Sequence, residues 1–306
     1  MEEKRFSLTG KTKSLIFYIV FMAWPVAQFA IFYVGVNFNS LLLAFKDINP
    51  ENYSEFTWTL SNFTTYFTDP TQLEMLGGAA LVSLRAYLTS LLISVPLALF
   101  FSYYIFKRMP MASLFRVLLF MPSIIASIVL VKLFTYIMDY ALPEILGFFK
   151  IEDPMFLSAN STHKFGTVMF YTIFTSFGTT VLMYSNKMST ISPEIIESAH
   201  LDGAGALREF FHIVLPMAFP TISVFLITGL AGLFINQWNV FSFYGTTQYA
   251  DLRSLGYWMY LMVYQNKQNP SGWSSPAALG LMLTAVAIPL TFTVRYLLNR
   301  FGPSED

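Results

Sequence analysis

The chain of 306 residues contains no cysteine and only three histidines, His163, His200 and His212. The missing cysteines exclude a disulfide framework and thiolate chemistry, and the histidines have no metal-ligand spacing. Charge is scarce as well. Asp, Glu, Lys and Arg make up 12% of the residues, against about 25% in soluble domains. Acidic and basic residues balance at 18 each, and no basic patch with interleaved aromatics offers a surface for nucleic acid. No GxxxxGK[ST] phosphate loop occurs, so if ATP drives this protein, another chain must hydrolyse it. The absence of a nucleophile–base or metal constellation counts against an intramembrane enzyme.

What the chain has in quantity is apolar surface, with 55% hydrophobic and 18% aromatic residues. A helix needs about 20 apolar residues to cross the hydrocarbon core of a bilayer. Six segments qualify: residues 15–36, 79–106, 114–138, 165–185, 217–238 and 277–298. The expectation is an all-α integral membrane protein of six transmembrane helices. A tail at 1–14 precedes the first helix, a loop at 37–78 follows it, and residues 299–306 form a second tail. The first apolar run is too long for a signal-peptide core and lacks a small-x-small exit, so it reads as an uncleaved anchor.

Lysine and arginine set the orientation. Lys4, Arg5, Lys11, Lys13, Lys107, Arg108, Arg116, Lys187, Arg208, Arg295 and Arg300 fall on one side, and Lys46, Lys150, Lys164, Arg253 and Lys267 on the other. The positive-inside rule puts both termini in the cytoplasm of a multi-pass cell-membrane protein. Arg85 and Lys132, near the outer ends of their spans, have stems long enough to snorkel to the interface. No Asp or Glu lies in the middle of a span, which weakens a self-contained, proton-coupled secondary transporter. Nor is there an inverted internal repeat of the kind many such transporters carry.

Between the fourth and fifth spans stands a polar stretch, ISPEIIESAHLDGAGALREFFHIVLPMAFP, from Ile191 to Pro220. Pro193 and Glu194 suit the first turn of a helix. Gly203 can take the positive φ of a sharp turn. A second amphipathic run follows, with Phe210, Ile213, Val214 and Leu215 on its apolar side, before Pro216 and Pro220. This spacing predicts a helix–turn–helix outside the bilayer, and by the charge asymmetry it is cytoplasmic.

The order E-S-A-H-L-D-G-A, then F-F-H-I-V-L-P, resembles the EAA loop of permease subunits of ATP-binding-cassette importers, with Ser198 in place of the second alanine. FRVLLFMPSII at 115–125 and WNVF at 238–241 resemble the sugar-permease branch, in particular the larger permease of maltose-type importers. The loop after Trp238 reads GTTQYADLRS and lacks the T-x-G-G-P frequent in that branch. The resemblance covers about residues 79–298 and implies a type I importer permease fold, with residues 191–216 as the coupling loop. It implies that Glu197, Ala199, Asp202, Gly203 and Ala204 contact a nucleotide-binding subunit, with the two carboxylates as anchors. The implied partners are a second permease forming a heterodimer, two ATPase subunits, and an extracytoplasmic solute-binding protein. This chain would hold no cofactor itself, since ATP and magnesium sit on the ATPases.

One further pattern lies inside the spans. Thr172, Thr175, Ser176, Thr179 and Thr180 recur at i, i+3, i+4, i+7 and i+8, one face of a helix. Gly229, Gly232 and Asn236 share a face of the fifth span, with Asn239 just beyond it. Such hydroxyls can bond their own i−4 carbonyls, and small residues can serve close helix packing. Asn236 favours a functional reading, because polar groups at membrane depth usually face an interior cavity. Neutral hydroxyl and amide groups near Trp238, Phe241, Phe243 and Tyr244 suit a neutral polyhydroxy ligand. Thr172, Ser176, Thr179, Asn236 and Asn239 are therefore the candidate solute contacts, with an oligosaccharide as the expected ligand and a non-sugar solute as the alternative.

Overall fold

The computed structural model describes residues 10–149 and 156–303. Lys4, Arg5 and Lys150, which enter the charge asymmetry, lie outside the described residues. The chain divides into two compact units. The first combines the chain up to Thr65 with Asn266–Met282, and the second holds Tyr66–Gln265 and the chain from Leu283 onward.

In the first unit, helix α1 runs over Gly10–Leu43 and buries none of its side chains. Phe17, Trp24 and Phe32 stand exposed along it, as expected of a helix solvated by lipid rather than water. Residues 37–78 are not the simple loop expected. After α1 come two short antiparallel strands, β1 Lys46–Ile48 and β2 Phe56–Trp58, with Lys46 opposite Trp58. The Lys46 ammonium lies 4.2 Å from the Phe56 ring centroid, a cation–π contact. Helix α2, Ser61–Thr68, braces this hairpin. Its Asn62 amide donates to the carbonyls of Ala44 and Lys46 at 3.1 and 2.9 Å.

The second unit begins its long helices earlier than apolar content alone predicts. Helix α3 spans Pro70–Phe106. Asp69 caps it by accepting from the Thr71 N–H at 2.9 Å, and Pro70 occupies the first turn, a cap that needs no apolar residue. The predicted third span is broken. Helix α4, Ala112–Ile124, and helix α5, Ser127–Phe148, meet at 102°. Ile125 and Ala126 are extended, at ψ 137° and 126°, just after Pro122, which has no N–H to give the helix. Helix α6 covers Lys164–Met188, α7 Pro193–Leu201, and α8 Ala206–Gly232. Helices α9, Val240–Tyr244, and α10, Leu255–Gln265, occupy the next connection, and α11, Ser274–Phe301, closes the chain. Among the described residues five helices are long and apolar enough to cross a membrane, or six if the bent α4–α5 pair is one span.

Helix α6 is central and packs against both α3 and α4. At Gly178 the contact is backbone to backbone, since a Cβ there would lie 1.9 Å from the Leu119 carbonyl oxygen. Of two apolar clusters, the first joins α3, α6 and α8, and the second joins α3 and α6 to the chain after α8. One contains Ala98 and Tyr103, Val181 and Met188, and Phe210 and Val214. The other contains Ala86, Val168, Trp238, Tyr257 and Leu261.

Gly178→Ala should push α4 off α6 and cost about 1–3 kcal/mol of stability, the usual range for overpacking. Gly166→Ala on the same helix, with nothing within 4 Å of its Cβ position, should match the native protein. Thermal unfolding of the two purified variants checks this, and equal melting temperatures would contradict the contact.

Candidate functional site

Between the two apolar clusters lies a cavity of about 390 Å3, walled by α3, α6, α8 and the chain just after α8. On α3 the lining, Tyr87 to Val95, falls between the cluster residues Ala86 and Ala98. Its polar lining consists of Tyr87, Ser90, Ser94, Thr172, Ser176, Thr180, Tyr184, Thr228, Asn236 and Trp238. None of the described lining residues carries a charge. The Tyr184 hydroxyl and the Trp238 indole N–H are buried without a hydrogen-bond partner among the described residues, leaving two donors unsatisfied at its wall.

The hydroxyl face of α6 divides. Thr172, Ser176 and Thr180, in the i, i+4, i+8 row, line the cavity, whereas Thr175 and Thr179, in the i+3, i+7 row, do not. All of them bond carbonyls within their own helix: Thr172 to Val168, Thr175 to Tyr171, Ser176 to Thr172, and both Thr179 and Thr180 to Ser176. The hydroxyl protons are therefore engaged, and what the face offers a ligand is acceptor lone pairs.

The connection after α8 is held by its own polar groups. Asn236 Oδ1 accepts from the Trp238 N–H at 2.8 Å, and its Nδ2 has no hydrogen-bond partner among the described residues. Asn239 does not line the cavity. Its Nδ2 donates to Thr172 Oγ1 at 3.1 Å, and Thr172 Oγ1 lies 3.2 Å from the Trp238 carbonyl. Trp238 and Asn239 both take left-handed backbone conformations, at φ 52° and 60°. Strain of this kind persists only where surroundings enforce it. Here Ser254 Oγ donates to the Asn236 carbonyl at 3.0 Å. Gly256 admits the chain so closely that a Cβ would lie 2.2 Å from the Ile235 oxygen. Of the five predicted solute contacts, then, Thr172, Ser176 and Asn236 line the cavity, while Thr179 and Asn239 lie outside it. The α3 side, Tyr87, Ser90 and Ser94, was missed, although Ser90 and Ser94 stand one helical turn apart in the sequence.

A second feature is the turn between α7 and α8. Gly203 sits at φ 78°. Its N–H bonds the His200 carbonyl at 3.0 Å, and the Ala204 N–H bonds that of Ala199 at 2.9 Å. This is a Schellman termination, which favours glycine at that position. Ala199 is buried, while Glu197 and Asp202 are exposed. Two apolar side chains accompany them at the surface, Leu201 at 89% and Leu207 at 70% exposure. They went unnoticed in the sequence, where the signal was an isolated leucine on either side of D-G-A-G. Glu209, in the first turn of α8, was also overlooked. Its side chain is fully buried and reaches Lys107, Tyr103 and His200.

Several known proteins resemble this chain along most of its length. The multiple sugar-binding transport system permease protein MsmF of Streptococcus mutans is 24% identical over 88% of this chain and 87% of its own length. The sn-glycerol-3-phosphate transport system permease protein UgpA of Pectobacterium atrosepticum is 25% identical over 90% of this chain and 88% of its own. The fold matches a chain of a bacterial ABC transporter involved in import of the acidic polysaccharide alginate. The TM-score there is 0.77 at 19% identity, covering 94% of this chain and 96% of that one. A second structure of an alginate ABC transporter, in complex with an alginate pentasaccharide-bound periplasmic protein, matches with a TM-score of 0.75 at 18% identity, over 95% and 97% of the two chains. The model of the binding-protein-dependent transport system inner membrane component matches residues 90–304, and the chain belongs to that family, the permease subunits of ATP-binding-cassette importers.

Proposed function

We propose that this permease passes a neutral oligosaccharide through the cavity between α3, α6 and α8, driven by ATPase subunits that grip the α7–α8 turn. The observation that carries the solute class is the lining. It offers hydroxyls, an amide and aromatic rings, and none of its described residues is charged. An anionic solute would enter such a site without a counter-charge, and unpaired ions are costly to desolvate. A neutral sugar can satisfy the Tyr184 and Trp238 donors with its own oxygens and stack on ring faces. Two similar proteins are named for transport of sn-glycerol-3-phosphate and of the acidic polysaccharide alginate; the neutral class proposed here rests on this chain's own uncharged lining. The delivering partner would be an extracytoplasmic binding protein, and a second permease would complete the pathway.

The partner on the cytoplasmic side follows from the turn. Exposed Leu201 and Leu207 beside Glu197 and Asp202 form an apolar tip with an acidic rim, the composition of a protein contact rather than of a free surface. Ala204 keeps the flank of the turn small enough for close approach, while the carbonyl of buried Ala199 accepts the Ala204 N–H that closes the turn. ATP and magnesium belong to the bound ATPases.

Three outcomes test these assignments. Gly203→Val should strain the turn, since a β-branched residue rarely adopts positive φ, and release the ATPase subunits or abolish solute-stimulated hydrolysis. Native hydrolysis and uptake in that variant would remove the turn from the coupling path. Asn236→Ser keeps an acceptor for the Trp238 N–H, if a weaker one, and deletes the free amide donor. One hydrogen bond of about 1 kcal/mol should then go, slowing transport roughly fivefold while assembly persists. Asn236→Ala should in addition lower the melting temperature. Unchanged uptake of every neutral sugar by Asn236→Ser would refute the site. For orientation, single cysteines in this cysteine-free chain should be labelled by an impermeant reagent from outside at Glu55 and not at Arg208. The reverse labelling would invert the topology.

A further inference from the structure

We infer that Glu209 and His200 form the tie through which movement of α7 reaches both walls of the cavity, an inference that rests on the coupling role proposed for the α7–α8 turn. The Glu209 carboxylate has no exposed surface. Lys107 Nζ lies 3.0 and 3.1 Å from its two oxygens. The Tyr103 hydroxyl stands 3.1 Å from Oε1 and 3.1 Å from the Ala206 carbonyl. His200 Nε2 approaches Oε2 at 2.7 Å. An ionised carboxylate can only accept, so the imidazole presents its Nε2–H.

These partners come from different helices. Lys107 caps the end of α3, whose earlier turns carry Tyr87 and Ser90. Glu209 opens α8, whose later turns carry Thr228 and Gly232. His200 is the next-to-last residue of α7. Among the described residues, the bond from His200 is the sole side-chain hydrogen bond that leaves α7 for another helix. The rest of the joint is apolar packing of Ile196 against the neighbouring cluster, which constrains direction less than a short charge-assisted bond does.

The division of labour is asymmetric. Lys107 neutralises a buried carboxylate, so its loss leaves an uncompensated charge and threatens the fold itself. The His200 side chain is half exposed, at 51%, and its removal leaves Lys107 and Tyr103 still bonded to Glu209. His200 is thus a positioning residue. It leaves solute and nucleotide untouched and sets how α7 is fixed to the ends of α3 and α8.

The test uses the complete transporter in proteoliposomes, with His200→Ala and His200→Gln compared for solute moved per ATP hydrolysed, melting temperature and subunit content. His200→Ala should lower the transport-to-hydrolysis ratio roughly tenfold, as expected when a hydrogen bond to a charged group is lost, with native melting and assembly. His200→Gln, whose amide can donate in place of Nε2–H, should restore the ratio. A native ratio in His200→Ala overturns the tie, as does loss of assembly in both variants, which would leave His200 a structural role only. Gly203→Val run in parallel separates the two failures. If Gly203→Val is uncoupled while His200→Ala is native, the tie alone falls; if Gly203→Val is native as well, the coupling reading falls with it.

Discussion

A helix that stops inside a membrane protein exposes carbonyls and N–H groups that lipid cannot satisfy. The second unit is arranged around one such end, at Gly232 on α8. The chain beyond it is closed by the Asn236 side chain on the Trp238 N–H, by Ser254 on the Asn236 carbonyl, and by Asn239 on Thr172. Because these bonds hold Trp238 and Asn239 in left-handed conformations, Trp238 is fixed at the wall of the cavity. Gly256 is needed for the same reason, since any side chain there would collide with Ile235. Cavity wall, strained backbone and close packing thus meet just beyond the end of one helix.

That requirement also bears on polar chemistry in the cavity. The hydroxyls of α6 bond their own helix, so they soften the lining without adding free donors. Donors left over include the buried Tyr184 hydroxyl and Trp238 indole N–H and the Asn236 amide, beside the α3 hydroxyls of Tyr87, Ser90 and Ser94.

Much of this was legible in the sequence because it is local. Runs of about 20 apolar residues identify spans without reference to neighbours, and Gly203 announces its turn through φ alone. Periodicity put Thr172, Ser176 and Asn236 on faces that line the cavity, yet it could not say which edge of the α6 stripe looks inward, and Thr179 falls on the other edge. Asn239 shares the neighbourhood but is engaged with Thr172. What stayed hidden depends on distant partners. Tyr87, Ser90 and Ser94 belong to the site only because α3 packs on α6. Glu209 reads as a surface charge until Lys107 and Tyr103, about 100 positions earlier, are brought to it. The break at Ile125 and Ala126 likewise follows a proline that helices often tolerate with a mere kink.

The uncharged cavity between α3, α6 and α8 is proposed to hold a neutral sugar during transport. The most direct test is a structure of the complete transporter trapped with a neutral malto-oligosaccharide. The account predicts sugar density within hydrogen-bonding distance of Asn236 Nδ2 and against the Tyr87 or Trp238 ring. Sugar density elsewhere along the pathway, with this cavity filled by side chains or lipid, would contradict it.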